Sequence, residues 1–159
     1  MKNSTALCPC QSGDSYENCC KPYHQHQRLP KTALPLMRSR YSAYVLQHID
    51  YLIETTLPNQ QPHLDKAAIS HWSANTHWLG LDILQHKVRS KIHENVEFNA
   101  HFAEKGGIPQ IHHENALFVT VQSTWYFVDH TLPRPSNKSP CFCGSGKKFK
   151  HCCGNYLMS

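Results

Sequence analysis

The 159-residue sequence has no long apolar run and only seven glycines. No segment approaches the roughly 20 apolar residues that a membrane-spanning helix needs, and residues 1–7 lack the apolar stretch of a secretory signal. We therefore expect a cytoplasmic protein with no membrane segment. No phosphate-binding glycine loop is present, and the thirteen histidines show no metal-ligand spacing such as His-x-x-x-His with a carboxylate. Nothing here indicates a nucleotide site or a histidine-based metal site.

Cysteine is absent from the whole middle of the chain, because all eight cysteines lie in two short copies of one pattern. Each copy reads Cys-x-Cys, eight residues and then Cys-Cys. The repeat extends beyond cysteine, since Ser12-Gly13 corresponds to Ser145-Gly146 and Tyr16 to Phe149. The sequence thus carries two copies of one small site, formed by Cys8, Cys10, Cys19, Cys20, Cys141, Cys143, Cys152 and Cys153.

Clustered cysteines in a reducing compartment usually indicate a metal site or catalysis. Four thiolates around one ion, at about 2.3 Å each, form the usual structural zinc site. We therefore expect two zinc ions, one for each copy; an iron–sulfur cluster and disulfides are the alternatives. His24 and His151 each lie close enough in sequence to replace a cysteine, but the conservative ligand set is the eight cysteines.

Acidic residues are absent from residues 133–159, which carry five Lys or Arg and so account for the whole net charge of +5. Residues 1–27 and 28–132 each sum to zero. A zinc ion with four thiolates contributes −2, so the loaded C-terminal copy remains at about +3 and the N-terminal copy becomes about −2. The basic copy could contact an acidic protein or a phosphate backbone, or its lysines could simply balance the site's own charge.

The residues between the two copies are long enough for one domain with its own core. Apolar residues at three- and four-residue spacing predict one long helix from Thr32 to Leu57 with a single apolar face, and a shorter helix over Asp65 to Trp78. Alternating residues then predict antiparallel strands. The expected class is α+β, with the sheet curling over the long helix. The predicted strands are Leu81–Val88, Val96 to the Gly106-Gly107 turn, Leu117–Val121 and Thr124–His130.

Residues 141–154 resemble the SEC-C motif, a zinc-binding module also found at the C-terminus of the SecA translocation ATPase. The resemblance assigns the ligands to Cys141, Cys143, Cys152 and Cys153. The N-terminal copy is looser, with Gln11 at the position of the first glycine. In SecA the motif docks on an acidic chaperone surface. The resemblance therefore implies an acidic protein partner, contacted by Lys147, Lys148, Phe149, Lys150 and His151; RNA or ribosome binding by so few cations would be weak and salt-sensitive.

The whole chain further resembles the YchJ-like family, which places an NTF2-like cone between two SEC-C motifs. This implies an N-terminal motif at 1–27, a middle domain at 28–132 and a C-terminal motif at 133–159. The chain departs from the family pattern after Glu114 and at His130, so functions tied to polar groups there do not carry over. The residues that carry the resemblance include Leu36-Met37-Arg38-Ser39-Arg40-Tyr41, Val96-Glu97-Phe98 and Trp125-Tyr126-Phe127-Val128-Asp129.

NTF2-like folds often hold a pocket at the open end of the cone, which makes a ligand-binding or enzymatic pocket the second hypothesis for function. Adjacent strand residues face opposite sides, so Glu114 shares a face with His112 and not with His113. A binding protein is the first hypothesis, and a homodimer is left open because the sheets of such domains often pair. The candidate pocket residues are His112, Glu114 and Trp125, with His93, His101, Asp129 and Trp78 as further candidates.

Overall fold

The computed structural model describes residues 6–157, in which a helical layer packs on one antiparallel sheet. Its helices precede its strands, as expected for an α+β chain, and within these residues no helix is both long and apolar enough to cross a membrane. The α-helices are α1 (Lys21–His24), α2 (Ala33–Leu46), α3 (Ile49–Glu54) and α4 (Lys66–Ala74). The strands are β1 (Thr76–Val88), β2 (His93–Glu104), β3 (Gln110–Val121) and β4 (Thr124–Val128).

The sheet is a simple meander with the order β1-β2-β3-β4, and each strand is antiparallel to the next. Strand β1 has register irregularities at Trp78/Gly80 and Ile83/Gln85, and such bulges bend a sheet. The predicted Gly106-Gly107 turn connects β2 with β3. Strand β1 begins at Thr76, five residues earlier than the alternating pattern predicted, because backbone pairing continues past the residues that alternate.

The helix predicted over Thr32 to Leu57 is wrong as a continuous element. Thr32 is the residue before α2, as predicted, but α2 ends at Leu46. Gln47 then adopts a left-handed conformation with φ +62°, and the His48 N–H donates to the Ala43 carbonyl at 2.8 Å. The chain turns there and α3 folds back against α2. The apolar spacing continues across the break, so the spacing alone could not reveal the turn.

Helix α2 is enclosed on several sides, which also corrects the expectation of one apolar face. It packs against β1, β2 and β4. Its polar Ser39, Arg40 and Ser42 are also buried. Buried polar groups require partners, and the N-terminal cysteine copy supplies contacts to this helix. Helix α2 is therefore the centre of the molecule, with the sheet and a cysteine copy on different sides.

Helix α4 is shorter than predicted, because the residues from Thr76 to Trp78 belong to β1. Asp65 caps the helix, with its Oδ1 accepting from the Ala68 N–H at 3.0 Å. Trp78 lies against Trp72 of α4, with ring centroids 4.9 Å apart at an interplanar angle of 85°. This aromatic contact fixes α4 over the start of the sheet.

The hydrophobic core includes the cysteine copies. Cys8, Cys10 and Cys20 belong to the same buried cluster as Leu36 and Phe118. The C-terminal cysteines belong to a second cluster on the sheet, which contains Leu57, Leu117, Val119 and Val128. Both copies are packed on the middle domain and are not separate appendages.

Candidate metal centres

Each cysteine copy is a short hairpin that presents Cys-x-Cys at its turn. In the C-terminal copy, a bridge joins Pro140 and Lys148, and the Cys141 N–H donates to the Lys147 carbonyl at 2.8 Å. In the N-terminal copy, Leu7 bridges Ser15, and the Cys8 N–H donates to the Asp14 carbonyl at 2.9 Å. A 3-10 turn follows in each copy and carries the chain to Cys-Cys.

The structure explains why the N-terminal copy can carry Gln11 where the motif has a glycine. Gly144 has φ +84° directly after Cys143, a conformation that favours glycine. The corresponding Gln11 adopts φ +62°, and its Oε1 accepts the Leu81 N–H at 2.9 Å. A polar link to β1 thus accompanies the less favourable backbone. The trailing glycine of the motif is also explained, because a Cβ on Gly154 would lie 2.7 Å from the Phe149 carbonyl oxygen.

Four sulfur atoms converge in each copy, and every pair within a copy lies within 4.8 Å. The Sγ atoms of Cys10 and Cys19 are 3.6 Å apart, and those of Cys143 and Cys152 are 3.5 Å apart. Tetrahedral zinc with bonds of about 2.3 Å separates its sulfurs by about 3.8 Å. All eight cysteines are free, and seven of them are buried. The two tetrads therefore fit one metal ion each.

The charges within each tetrad support this fit. Hydrogen bonds from neighbouring thiols lower the pKa of Cys10 and of Cys143. Hydrogen bonds with the other cysteines of the same tetrad raise the pKa of Cys20 and of Cys153. Without a cation, the buried sulfurs must hold protons between them. A bound dication would stabilise all four thiolates together, which is the usual coupling of metal binding to proton release.

In each copy, one serine hydroxyl contacts a sulfur of the tetrad, and the geometry is the same in the two copies. Ser12 Oγ lies 3.1 Å from Cys19 Sγ, and Ser145 Oγ lies 3.1 Å from Cys152 Sγ. Each serine oxygen accepts the backbone N–H two residues later, at 3.2 Å. Its hydroxyl remains free to donate to the sulfur when that sulfur is a thiolate. The repeated Ser-Gly pair in the sequence was the signal for this role.

The sequence suggested His93 only as a pocket residue and did not reveal that it lies on β2 in contact with the C-terminal tetrad. Its Nε2 is 3.5 Å from the Sγ atoms of both Cys152 and Cys153. Ser90 Oγ accepts the N–H groups of Ile92 and His93 at 3.1 Å each, so its hydroxyl donates to His93 Nδ1 at 2.8 Å. The Nε2 nitrogen of the neutral ring consequently carries the hydrogen, which points at the two sulfurs. The histidines adjacent to the motifs do not take this position: His24 bonds Tyr16 and Ser39, and His151 is exposed.

Replacing His93 with phenylalanine is expected to weaken metal retention at the C-terminal tetrad by about 10- to 100-fold, the usual effect of losing a hydrogen bond to a metal ligand. Phenylalanine keeps an aromatic ring at this position but cannot donate the N–H···S hydrogen bonds. Competition with a chromophoric chelator measures the metal affinity, because it distinguishes ions released from the N-terminal tetrad and from the C-terminal tetrad. His113→Phe is the control, because His113 pairs with Glu97 on the sheet surface. Equal release from His93→Phe and the unmodified protein would contradict the role.

The predicted contact residues of the C-terminal copy separate into two groups. Lys147, Lys148, Lys150 and His151 are exposed. Phe149 is only 2% exposed and packs edge-on against Phe142, with centroids 5.4 Å apart. Phe149 cannot contact a partner directly, because it forms the core of the copy itself.

The predicted pocket residues are also separated. His112 and Glu114 lie together, with His112 Nε2 donating to Glu114 Oε1 at 3.0 Å, and this hydrogen bond raises the pKa of His112. Both line a cavity with Trp78. Trp125 does not line it, and its indole N–H donates to the carbonyl of Lys31, which precedes α2. His93, His101 and Asp129 lie outside this cavity too, and the wall that Trp125 was expected to form is supplied by Trp72.

The fold and the two tetrads define a class of protein: an NTF2-like domain that carries a four-cysteine SEC-C module at each end. Residues 5–22 and 138–155 match the SEC-C motif, and residues 32–130 match the family model described as YchJ, middle NTF2-like domain. The chain belongs to this YchJ-like family.

The chain is similar to curated proteins and to solved structures over most of its length. The chain is 56% identical over 154 residues to a UPF0225 protein of Actinobacillus succinogenes, covering 96% of this chain and 99% of the relative. It is 50% identical over 157 residues to a UPF0225 protein of Haemophilus influenzae strain PittEE, covering 97% and 98%. A crystal structure of a SEC-C motif containing protein from Psychrobacter arcticus superposes with a TM-score of 0.88 at 43% identity, covering 97% and 98% of the two chains. A solution structure from Rhodopseudomonas palustris gives 0.72 at 36% identity, covering 77% and 94%.

Proposed function

We propose that this protein binds one zinc ion in each cysteine module and acts in the cytoplasm as an interaction protein, with the basic C-terminal module as the surface for an acidic protein partner. Zinc is the ion preferred by four buried thiolates in tetrahedral arrangement. The observation that carries the partner is the one-sided charge of the exposed lysines.

The lysines of the C-terminal module are available for a partner. Among the described residues, none of Lys138, Lys147, Lys148 and Lys150 has a carboxylate within 4.0 Å. In the N-terminal module, by contrast, Lys21 pairs with Glu17 at 2.6 Å. These four lysines thus have no ion-pair partner among the described residues, which supports the contact with an acidic surface.

A groove beside this module supports a protein segment as the occupant. It has a volume of about 700 Å³ and lies between the module and the β3–β4 turn. Lys91 and Lys147 line it, together with Gly144 and Ser145. Small residues next to two lysines suit an extended acidic segment, in which side-chain carboxylates reach cations on both walls.

Changing Lys147, Lys148 and Lys150 together to Glu is expected to abolish binding to acidic partners. The measurement is affinity capture by the zinc-loaded protein, followed by titration of each captured protein by calorimetry. The matched control is Lys31, Lys87 and Lys105 changed to Glu, which alters the net charge equally but at exposed positions elsewhere. Binding that the C-terminal variant loses and the control keeps supports the proposal.

The capture is repeated after nuclease treatment and at rising salt. Partners that disappear with nuclease, and whose affinity falls steeply with salt, would indicate RNA or ribosome association instead. Partners retained equally by both triple variants would contradict a role for the basic module. Either result leaves the zinc content unchanged, so the two parts of the proposal are tested separately.

A further inference from the structure

A cavity of about 100 Å³ lies between α2, α4 and the concave face of the sheet. Its walls are largely aromatic and include Tyr44, Trp72, Trp78 and Phe98. Trp78 is 5.4 Å from Tyr44 between ring centroids and 4.9 Å from Trp72. An apolar cavity near this size accommodates a single ring of about six heavy atoms. None of these residues belongs to a cysteine module.

One oxygen of the cavity has no partner. Glu114 has a side chain that is only 12% exposed, and its Oε1 accepts from His112 at 3.0 Å. Its Oε2 is buried and accepts no hydrogen bond from any described residue. His130 Nε2 lies 4.0 Å away, beyond hydrogen-bond distance. Buried carboxylate oxygens normally have donors, so this oxygen of a cavity-lining residue lacks, among residues 6–157, the donor that a ligand could supply.

The charges around the cavity favour a neutral ligand. Arg40 lines the cavity and is 6% exposed, with its guanidinium 4.3 Å above the Phe127 ring. Its positive charge and the negative charge of Glu114 both border a cavity of low polarity, with His112 as the further ionisable base in the lining. A ligand with a net charge would leave an unbalanced buried charge, which is unfavourable.

The cavity is accessible from outside without unfolding. Trp72 is 40% exposed and the His112 side chain is 49% exposed, and both line the cavity. The cavity thus borders solvent at these two residues, whereas the Glu114 side chain is mostly buried. A small ring could therefore enter past them and reach the carboxylate.

We propose that this cavity binds a small, neutral, planar ring compound with one O–H or N–H donor. The ring packs between the aromatic walls, and its donor hydrogen-bonds to Glu114 Oε2. This site is independent of the proposed partner surface, because it uses no residue of the C-terminal module.

The test compares phenol with fluorobenzene, which has a similar size and no donor. The readout is the shift of the Trp72 and Trp78 indole signals in heteronuclear NMR spectra of the zinc-loaded protein. Phenol is expected to bind at least about 10-fold more tightly than fluorobenzene, in line with a hydrogen bond to a charged acceptor. Benzoate and benzylamine test the preference for a neutral ligand and are expected to bind more weakly than phenol.

Glu114→Met removes the acceptor and keeps a side chain of similar length. It is expected to bind fluorobenzene as before, which shows that the cavity persists, and to reduce the preference for phenol to less than about 3-fold. Glu97→Met is the matched control, since Glu97 pairs with His113 on the other face at 2.7 Å. The proposal is overturned if neither compound shifts the indole signals, if phenol and fluorobenzene bind equally, or if Glu114→Met keeps the preference.

Discussion

Losing the N-terminal metal site is expected to destabilise the protein far more than losing the C-terminal one. Cys20→Ser and Cys153→Ser should each reduce the zinc content from two ions to one. The Cys20→Ser variant should in addition lose a free energy of unfolding comparable with the whole stability of a small domain, about 5–15 kcal/mol. The reason is that the N-terminal module contacts the central helix.

Four polar contacts join the N-terminal module to α2 and β1. Arg38 donates to the Cys10 carbonyl at 2.8 Å, and Ser42 Oγ lies 3.4 Å from Cys8 Sγ. His24 Nε2 donates to the Ser39 carbonyl at 2.8 Å, and the Leu81 N–H donates to Gln11. These contacts hold the module against the buried side of α2, where the Ser42 side chain is buried, and against β1.

The C-terminal module contacts the end of the sheet instead. Besides the His93 contact with the sulfurs, Asn95 Nδ2 donates to the Tyr156 carbonyl at 3.4 Å. Among residues 6–157, Asn95 and His93 of β2 carry the side-chain hydrogen bonds to this module, whereas α2 has none to it. Native mass spectrometry gives the zinc count and thermal unfolding gives the stability. Melting temperatures lowered equally in the two variants would show that the modules contribute alike, and an absence of zinc from freshly reduced protein would refute the metal assignment.

Replacing Arg40 with methionine is expected to cost about 3 kcal/mol, because two hydrogen bonds from a buried charged donor are lost and each such bond contributes about 1.5–3 kcal/mol. Arg40 Nη1 donates to the Leu52 carbonyl at 2.8 Å and to Thr55 Oγ1 at 2.7 Å. The Thr55 hydroxyl already donates to the Tyr51 carbonyl, so its oxygen accepts from Arg40. Without the guanidinium, the end of α3 loses its connection to α2, and Phe127 loses the cation above its ring.

Urea denaturation measures this loss. Arg134→Met is the control, because Arg134 is exposed and makes one 3.2 Å contact with the His130 carbonyl; a change within about 0.5 kcal/mol is expected there. A similarly small effect of Arg40→Met would mean that water replaces the guanidinium at α3. Arg40 lies in the segment Leu36–Tyr41 that carries the family resemblance, but its partners on α3 are 12 to 16 residues away and could not be read from that segment.

The sequence by itself determined the features that depend on local spacing. Cys-x-Cys and Cys-Cys separated by eight residues define each tetrad, because a short hairpin brings both pairs to one point. The separate sums of charge along the chain located the basic module at residues 133–159. The alternating strands and the order of helices before strands defined the α+β class, since periodicity is a property of neighbouring residues.

Only the tertiary structure decided which distant residues meet. His93 reaches sulfurs 59 and 60 residues later in the chain, and Arg40 meets carbonyl and hydroxyl groups 12 to 16 residues later. The turn at Gln47, the burial of Phe149 and the unpartnered oxygen of Glu114 also follow from how elements pack. The spacing of residues along the chain indicates the geometry of a single helix, strand or hairpin. The partners of a buried polar group come from other elements, which fold against it from elsewhere in the chain.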